Sequence, residues 1–242
     1  SVNDGSSDNN FDPLADQTVT VTTADDEIAG FTITESGGTT LVTEAGSTDT
    51  FTVVLNAQPV NDVVFNVTIA GDEATLSTAT LTFTNGNWDT AQTVTVTGVD
   101  ESLVDGDQNS TITISVNDGS SDNNFDPLAD QTVTATTTDN DVAGFTVAES
   151  GGGTSVTEAG STDTFTVVLN AQPDSDVVLS VSSSDLGEVT AAMTLTFTND
   201  NWNTPQTVTA TGSDDNLDDG DQTTNLSIVI NAPSTDNKFD GV

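Results

Sequence analysis

The chain has no cysteine, histidine, arginine or tyrosine, and its single lysine, Lys238, faces 39 acidic side chains for a formal net charge of −38. Without cysteine there are no disulfides and no thiolate zinc sites. Without histidine there are no imidazole metal ligands and no Ser-His or Cys-His nucleophiles. Nucleic acid is not expected as a partner, because binding phosphates takes Lys and Arg to displace counterions. No apolar run approaches the roughly 18 residues of a bilayer-spanning helix, so no membrane insertion is expected, and no signal peptide is visible. Such a composition suits a chain that is built into something, or that binds cations, and no enzymatic activity is expected. Paired carboxylates can hydrolyse a glycoside, but here every acidic pair recurs along the chain and nothing points to a deep apolar pocket.

What is present is a pattern. Short runs such as TVTVTT (18–23), TFTVVLN (50–56), TLTFT (80–84) and TVTVTG (93–98) alternate threonine with β-branched or aromatic residues. Alternation with a period of two puts one side chain inward and the next outward, as in a half-buried strand. No segment carries a 3.6-residue apolar period, and the Asp, Asn, Gly and Ser clusters fall between the runs, where turns need them. High acidity alone would suit disorder; the alternation argues for a folded all-β chain.

SVNDGSSDNNFDPLADQTVT at Ser1 returns word for word at Ser115, a period of 114 residues. TEAGSTDTFTVVLNAQP recurs at Thr43 and Thr157, LTFTNGNW at Leu81 becomes LTFTNDNW at Leu195, and a partial third copy starts at Val229. Each period holds about seven strand candidates, which suits a β-sandwich of roughly 100 residues. In the first complete unit they fall near 30–35, 41–44, 50–56, 62–69, 79–84, 91–98 and 110–117, followed by 131–138. Phe51, Val53, Leu55, Leu81 and Phe83 are expected in the core, with Trp88 and Trp202 capping its end. The expected organisation is residues 1–26 as the final loop and strand of a preceding or neighbouring sandwich, 27–140 as the first complete sandwich, and 141–242 as a second lacking its last strand. Residues 15–24 match the missing strand. The chain is therefore expected in a linear assembly with identical or similar repeats head to tail, either as a covalent array or by donation of the N-terminal strand (1–24) to the open sandwich of another copy.

The acidic residues gather in loops: Glu35 and Glu44 with Glu149 and Glu158; Asp72 and Glu73 with Asp185 and Glu188; Asp100, Glu101, Asp105 and Asp107 with Asp214, Asp215, Asp218, Asp219 and Asp221; Asp25, Asp26 and Glu27 with Asp139 and Asp141. One lysine cannot neutralise them, and uncompensated carboxylates repel one another. Hard oxygen ligands on irregular loops suit calcium, which takes 6–8 oxygens, better than octahedral magnesium. The spacing is not that of an EF-hand, and a solvated acidic surface is the alternative. Residues 27–141 resemble a Calx-β domain through VTEAG (42–46), LTFTNGNWDTAQTVTV (81–96), DESLVDGDQ (100–108) and TTDND (137–141). The resemblance implies tandem immunoglobulin-like Greek-key sandwiches and calcium as the cofactor. By it, Glu44, Asp100, Glu101, Asp105 and Asp139 are ligands in the first unit, and Glu158, Asp214, Asp215 and Asp219 in the second. Asp72, Asp141 and Asp185 join this candidate set from the loop clusters. Gln108 and Gln222 stand where the family carries an acidic residue. The loop with Asp118, Asp122, Asp126 and Asp130 is expected to hold either a further ion or a plain Asp/Asn turn.

The function expected is that of a structural repeat of an extracellular bacterial adhesin or filament on the cell surface, a rod stiffened by calcium at loop ends and inter-repeat junctions. The alternative is a binding module for a surface carbohydrate or for ice, using threonine rows such as Thr93, Thr95 and Thr97.

Overall fold

The computed structural model of the chain describes residues 3, 5, 6, 8–11, 14–231 and 236–242. In the first unit the strands are β1 (Phe31–Glu35), β2 (Thr40–Thr43), β3 (Thr48–Leu55), β4 (Val63–Ala70), β5 (Ala74–Leu76), β6 (Thr80–Phe83), β7 (Gln92–Gly98), β8 (Gln108–Val116) and β9 (Gln131–Thr138). They form two sheets, β1-β3-β7-β5 and β2-β9-β8-β4-β6. Every ladder is antiparallel except β2 against β9. The inward residues of both sheets meet in one core that includes Phe51, Phe65, Phe83, Ile112 and Ile114, all fully buried. Trp88 packs half-buried against that core, and Trp202 does the same in the second unit. Thr93, Thr95 and Thr97 pair across the ladder with Thr52, Thr50 and Thr48. No helix among the described residues is long and apolar enough to cross a membrane.

The second unit repeats this arrangement with β10 (Phe145–Glu149), β11 (Thr162–Leu169), β12 (Val177–Ser183), β13 (Val189–Thr190), β14 (Met193–Phe197), β15 (Gln206–Gly212) and β16 (Leu226–Ile230). Its first sheet, β10-β11-β15-β13, matches that of the first unit, but the other is reduced to β14-β12-β16. No counterpart of β9 is present among the described residues, and both elements that flank it in the first unit are shorter here. Residues 154–157, equivalent to β2, are not in a strand, and β16 has five residues where β8 has nine. A strand edge without a ladder partner gains neither hydrogen bonds nor packing, so the pairing retreats.

Residues 14–30, expected to contain a strand at 15–24, carry no assigned strand in the single chain. Val19 and Val21 are 88% and 82% exposed. The alternation there is genuine, but a lone strand buries nothing by itself.

A loop from the first unit reaches the second. Leu103 forms a parallel bridge with Gln172, Val104 N donates to Gln172 O at 3.1 Å, and Gln172 N donates to Ser102 O at 2.6 Å. Val104 also packs against the second core, and its carbonyl accepts from Lys238 Nζ.

Candidate metal centre

Glu44 follows β2 directly, and a close backbone approach sets its place. A Cβ added to Gly98, at the end of β7, would lie 2.1 Å from Thr43 O, so only glycine allows β2 to end where it does. From there Glu44 N donates to Thr138 O at 3.2 Å, and its side chain turns inward to 1% exposure. An acid this deep with no basic partner is costly unless something neutralises it.

Two further segments converge on it. In the loop 99–107, Glu101 folds back so that Oε2 accepts from Ser102 N and Leu103 N at 2.9 and 2.6 Å. Gly106, with φ at +77°, turns the loop so that its N–H reaches Asp139 Oδ2 at 2.8 Å. In the linker after β9, Asn140 N donates to Glu44 Oε2 at 3.0 Å and Asp141 N to Asp139 Oδ1 at 2.7 Å. Gln108 Nε2 donates to Asp105 O at 3.2 Å and so holds the loop in place. The outcome is two overlapping triads, Glu44–Glu101–Asp105 and Glu44–Asp139–Asp141, each with one carboxylate oxygen per residue within 4.8 Å of the others.

The oxygens left over are informative. Glu101 Oε1, Asp105 Oδ1, Asp141 Oδ2 and Glu73 Oε2 are buried and have no hydrogen-bond partner. Buried polar atoms are almost always satisfied. Three carboxylate oxygens without a donor in triads with an acid that is almost wholly enclosed, and a fourth on Glu73 beside Asp105 and Glu101, form a donor set for a hard cation. The charges confirm the crowding. Burial pushes the Glu44 carboxyl above its usual 4.5, against the Asn140 N–H and with the help of Asp139, Glu101 and Asp141. Glu101 is raised by burial and by Asp105 and Asp141, against its two amide donors. Asp141 is raised by burial and by Asp139 and Asp100, and Glu73 by burial and by Asp105, Asp72 and Glu101.

Of the residues singled out in the first unit, the structure thus brings Glu44, Glu101, Asp105, Asp139 and Asp141 together. Asp100 is exposed beside Asp141, and Asp72 is exposed beside Glu73. It is Glu73, adjacent in sequence, whose side chain faces the cluster. In the second unit the Glu188 carboxyl is raised by desolvation first and then by Asp219, Asp215, Glu158 and Asp185 around it. Glu158, Asp185, Asp214 and Asp219 are exposed, and no triad forms there among the described residues. Asp185 caps a turn, its Oδ1 accepting from Gly187 N at 2.9 Å. The gap-free repeat slips locally: Ser213 N donates to Glu188 O just as Val99 N donates to Glu73 O, so Glu188 takes the place of Glu73 one residue off the 114-residue register.

The Asp-rich loop near Asp122 works differently. Asp122 is 4% exposed, and its carboxylate accepts from Val60 N, Asn61 N and Asn124 N at 2.9, 2.9 and 3.0 Å, which lowers its pKa. These amide donors occupy it as a clamp between loops; Asp126 Oδ1 nearby in sequence is buried without a hydrogen-bond partner, but it joins no acidic triad among the described residues.

No family model and no curated protein matches the chain. Among solved structures, CBD12 from CALX1.2 aligns over 81% of this chain and 79% of its own length at 15% identity, with a TM-score of 0.32. The calcium binding domain CBD12 of CALX1.1 aligns over 76% of each chain at 17% identity and 0.33. The E. coli chaperone DraB aligns over 85% of this chain and 92% of its own at 9% identity and 0.32. Likeness at this level adds nothing to the argument for the site, which stands on its own residues.

Proposed function

We propose that the chain is a structural repeat of an extracellular bacterial adhesin or filament, braced by calcium at the joint between its sandwiches. The observation that carries this is the group of buried, donorless carboxylate oxygens around Glu44. Their placement gives the ion a mechanical role. Asp139 and Asp141 belong to the linker between β9 and β10, while the loop holding Glu101 and Asp105 touches Gln172 of the second unit. An ion held by both fixes linker and loop to each other and converts a hinge into a stiff joint. An all-oxygen, irregular donor set favours calcium over magnesium. Extracellular modules of this kind bind calcium in roughly the 10⁻⁴–10⁻³ M range, which suits a cell-surface setting. The reading includes no catalysis, and it takes identical or similar repeats head to tail as the partners.

Titration of the chelator-treated chain with calcium, followed by calorimetry and by terbium luminescence, tests the proposal. Saturable binding that magnesium competes for only weakly is expected. Absence of calcium binding up to millimolar concentrations would overturn it. A second reading, a carbohydrate- or ice-binding module, draws on the paired threonines Thr93–Thr52, Thr95–Thr50 and Thr97–Thr48. Trp88, however, packs half-buried against the core. Ice-shaping and glycan-array assays separate the two readings.

A further inference from the structure

TEAGSTDTF recurs letter for letter at Thr43 and Thr157, yet the acidic centre uses only the glutamate of the first copy. The serine and aspartate of the same stretch, Ser47 and Asp49, act on the strand that carries it. β2 is the edge strand of its sheet and pairs only with β9. Glu44 N points towards β9, where it donates to Thr138 O. Amides alternate in direction along a strand, so Leu41 N and Thr43 N point the other way, off the edge of the sheet. Side chains receive them there. Leu41 N donates to Asp49 Oδ2 at 2.9 Å, and Thr43 N to Ser47 Oγ at 2.8 Å. Asp49 stands in β3, a strand of the opposite sheet, and Ser47 directly precedes that strand. Both are held in turn. Asp49 Oδ1 accepts from Ser36 Oγ and from Thr50 N, while Gly98 N donates to Ser47 O at 3.1 Å. The Ser36 hydroxyl, followed by the Leu41 amide, keeps the Asp49 carboxyl below its usual 3.8. Gly46, with φ at +79°, closes the turn between the two elements, its N–H on Thr43 O at 3.0 Å.

The second unit separates this grip from the ladder. Residues 154–157 carry no strand, yet Ser155 N still donates to Asp163 Oδ2 at 2.8 Å and Thr157 N to Ser161 Oγ at 2.7 Å. Ser150 Oγ donates to Asp163 Oδ1 at 2.6 Å, and Gly212 N to Ser161 O at 3.0 Å, so the whole arrangement is copied. The grip therefore forms without pairing on the far side of the segment. Glu158 is nevertheless exposed where Glu44 is buried. What the serine and aspartate set is the path of the backbone up to the glutamate. The depth of the Glu44 side chain belongs to the loop 99–107 and the linker that close over it.

We infer that Ser47 and Asp49 are positioning residues of the calcium centre: by holding Leu41 N and Thr43 N they fix the end of β2 and so place Glu44, the member common to both triads. The inference rests on the calcium reading above. Neither residue belongs to a triad, so both act through the backbone and not as ligands. A binding constellation works at full strength only when its members are held to within about 0.5 Å. An edge strand gripped on one side alone does not meet that demand, whereas β2, held by β9 on one side and by Ser47 and Asp49 on the other, does. The close approach of Gly98 to Thr43 O and the hydrogen bond from Gly98 N to Ser47 O act on the same two residues from β7.

The test titrates calcium into the 242-residue chain and its variants, read by calorimetry and by terbium displacement. Ser47→Ala should weaken calcium binding roughly tenfold, the low end of what partners in the outer shell of a metal site cost. Asp49→Ala, which also releases Ser36 and Thr50, should weaken it at least as much. Ser47→Thr keeps the hydroxyl and should restore the parent affinity. Ser47 is exposed, so Ser47→Ala removes nothing from the core and decides the matter even if Asp49→Ala fails to fold. Ser161→Ala and Asp163→Ala delete the same hydrogen bonds in the second unit, where no triad forms among the described residues, and should leave the affinity as it was. That control separates positioning from a general loss of stability. Parent affinity in a folded Ser47→Ala chain, or an equal loss from Ser161→Ala, overturns the inference and leaves the calcium reading intact. A parent chain that binds no calcium overturns both.

Discussion

Glu44 is the shared member of both acidic triads, so Glu44→Gln acts on both at once, and its effect should change sign with calcium. Without the ion, the side chain sits almost fully enclosed beside Asp139, Glu101 and Asp141. Two unit charges at the 4.8 Å limit of the triads repel by about 3.5 kcal/mol at an effective dielectric of about 20. The partners are half-buried, so solvent screening leaves a relief of ~1–2 kcal/mol on neutralising Glu44. Glutamine can still accept from Asn140 N–H, so packing and hydrogen bonding survive. In EDTA the variant should therefore melt no lower than the parent chain, and by this estimate several degrees higher. With calcium at a hundred times its dissociation constant, the parent gains about 2.7 kcal/mol per ion, or roughly 10 °C for a unit of this size. The variant should lose most of that gain, so the order of melting temperatures reverses between the two conditions. Differential scanning calorimetry of both chains, with and without EDTA, reads this directly. A parent melting temperature indifferent to EDTA, or a variant equally destabilised in both buffers, would refute the reasoning and reduce Glu44 to a packing residue.

Asp122→Ala should cost about 4 kcal/mol, because three amide donors lose a charged acceptor in a buried site. Asp122→Asn should cost about half as much, since Oδ2, which serves Val60 and Asn61, can be kept as the amide oxygen. Chemical denaturation should give the same losses in calcium and in EDTA, and a calcium-dependent difference would reinstate an ion in that loop. Gly98→Ala forces a Cβ against Thr43 O and should cost about 3 kcal/mol while weakening calcium binding, because Glu44 follows Thr43. Unchanged calcium affinity in a folded Gly98→Ala chain would show that this approach does not position the site. In chelator, the raised carboxyls of Glu44, Glu73, Glu101 and Asp141 hold protons more tightly folded than unfolded. Stability should therefore fall as pH rises from their ordinary values through the raised ones. Asp122, with its lowered pKa, contributes the opposite slope at lower pH, where its stabilisation disappears as it is protonated. Saturating calcium should abolish the first slope, and an EDTA melting temperature that stays flat as the pH rises above the ordinary values of these carboxyls would contradict the crowding.

The strands were legible because threonine and valine alternate so regularly that inside and outside follow from parity alone, and Phe51, Val53, Leu55, Leu81 and Phe83 are all buried accordingly. β5 was missed: three residues are too few for alternation to register. The acidic loops were legible as loops, yet membership of the cluster was not. Glu44, Glu101, Asp105, Asp139 and Asp141 come from three distant segments, and which carboxylate of a pair turns inward depends on local backbone. Asp72 and Glu73 illustrate this, since the carbonyl of Glu73 is tied to Val99 N and its side chain is thereby aimed at the cluster. The slip that puts Glu188 in the role of Glu73 was hidden by a repeat that matches without gaps on either side. The exposed segment at 17–24 shows the opposite limit, because a sequence can carry the alternation of a strand without saying what it pairs with.

The parallel pairing of β2 with β9 bears on how the first sandwich withstands tension. The chain enters at the pole where Gln131 Nε2 touches Phe31 O and leaves after Thr138 at the opposite pole, beside Glu44. A pull on the two ends therefore runs along the strands, and the four residue pairs from Thr40–Ala135 to Thr43–Thr138 are loaded in shear. Bonds loaded side by side must break together, whereas a hairpin pulled open from its tip loses them one by one. Single-molecule stretching would read this as one high rupture force for the unit, and a gradual extension at low force would contradict it. A module of this construction resists being drawn out lengthwise far better than its modest number of residue pairs suggests.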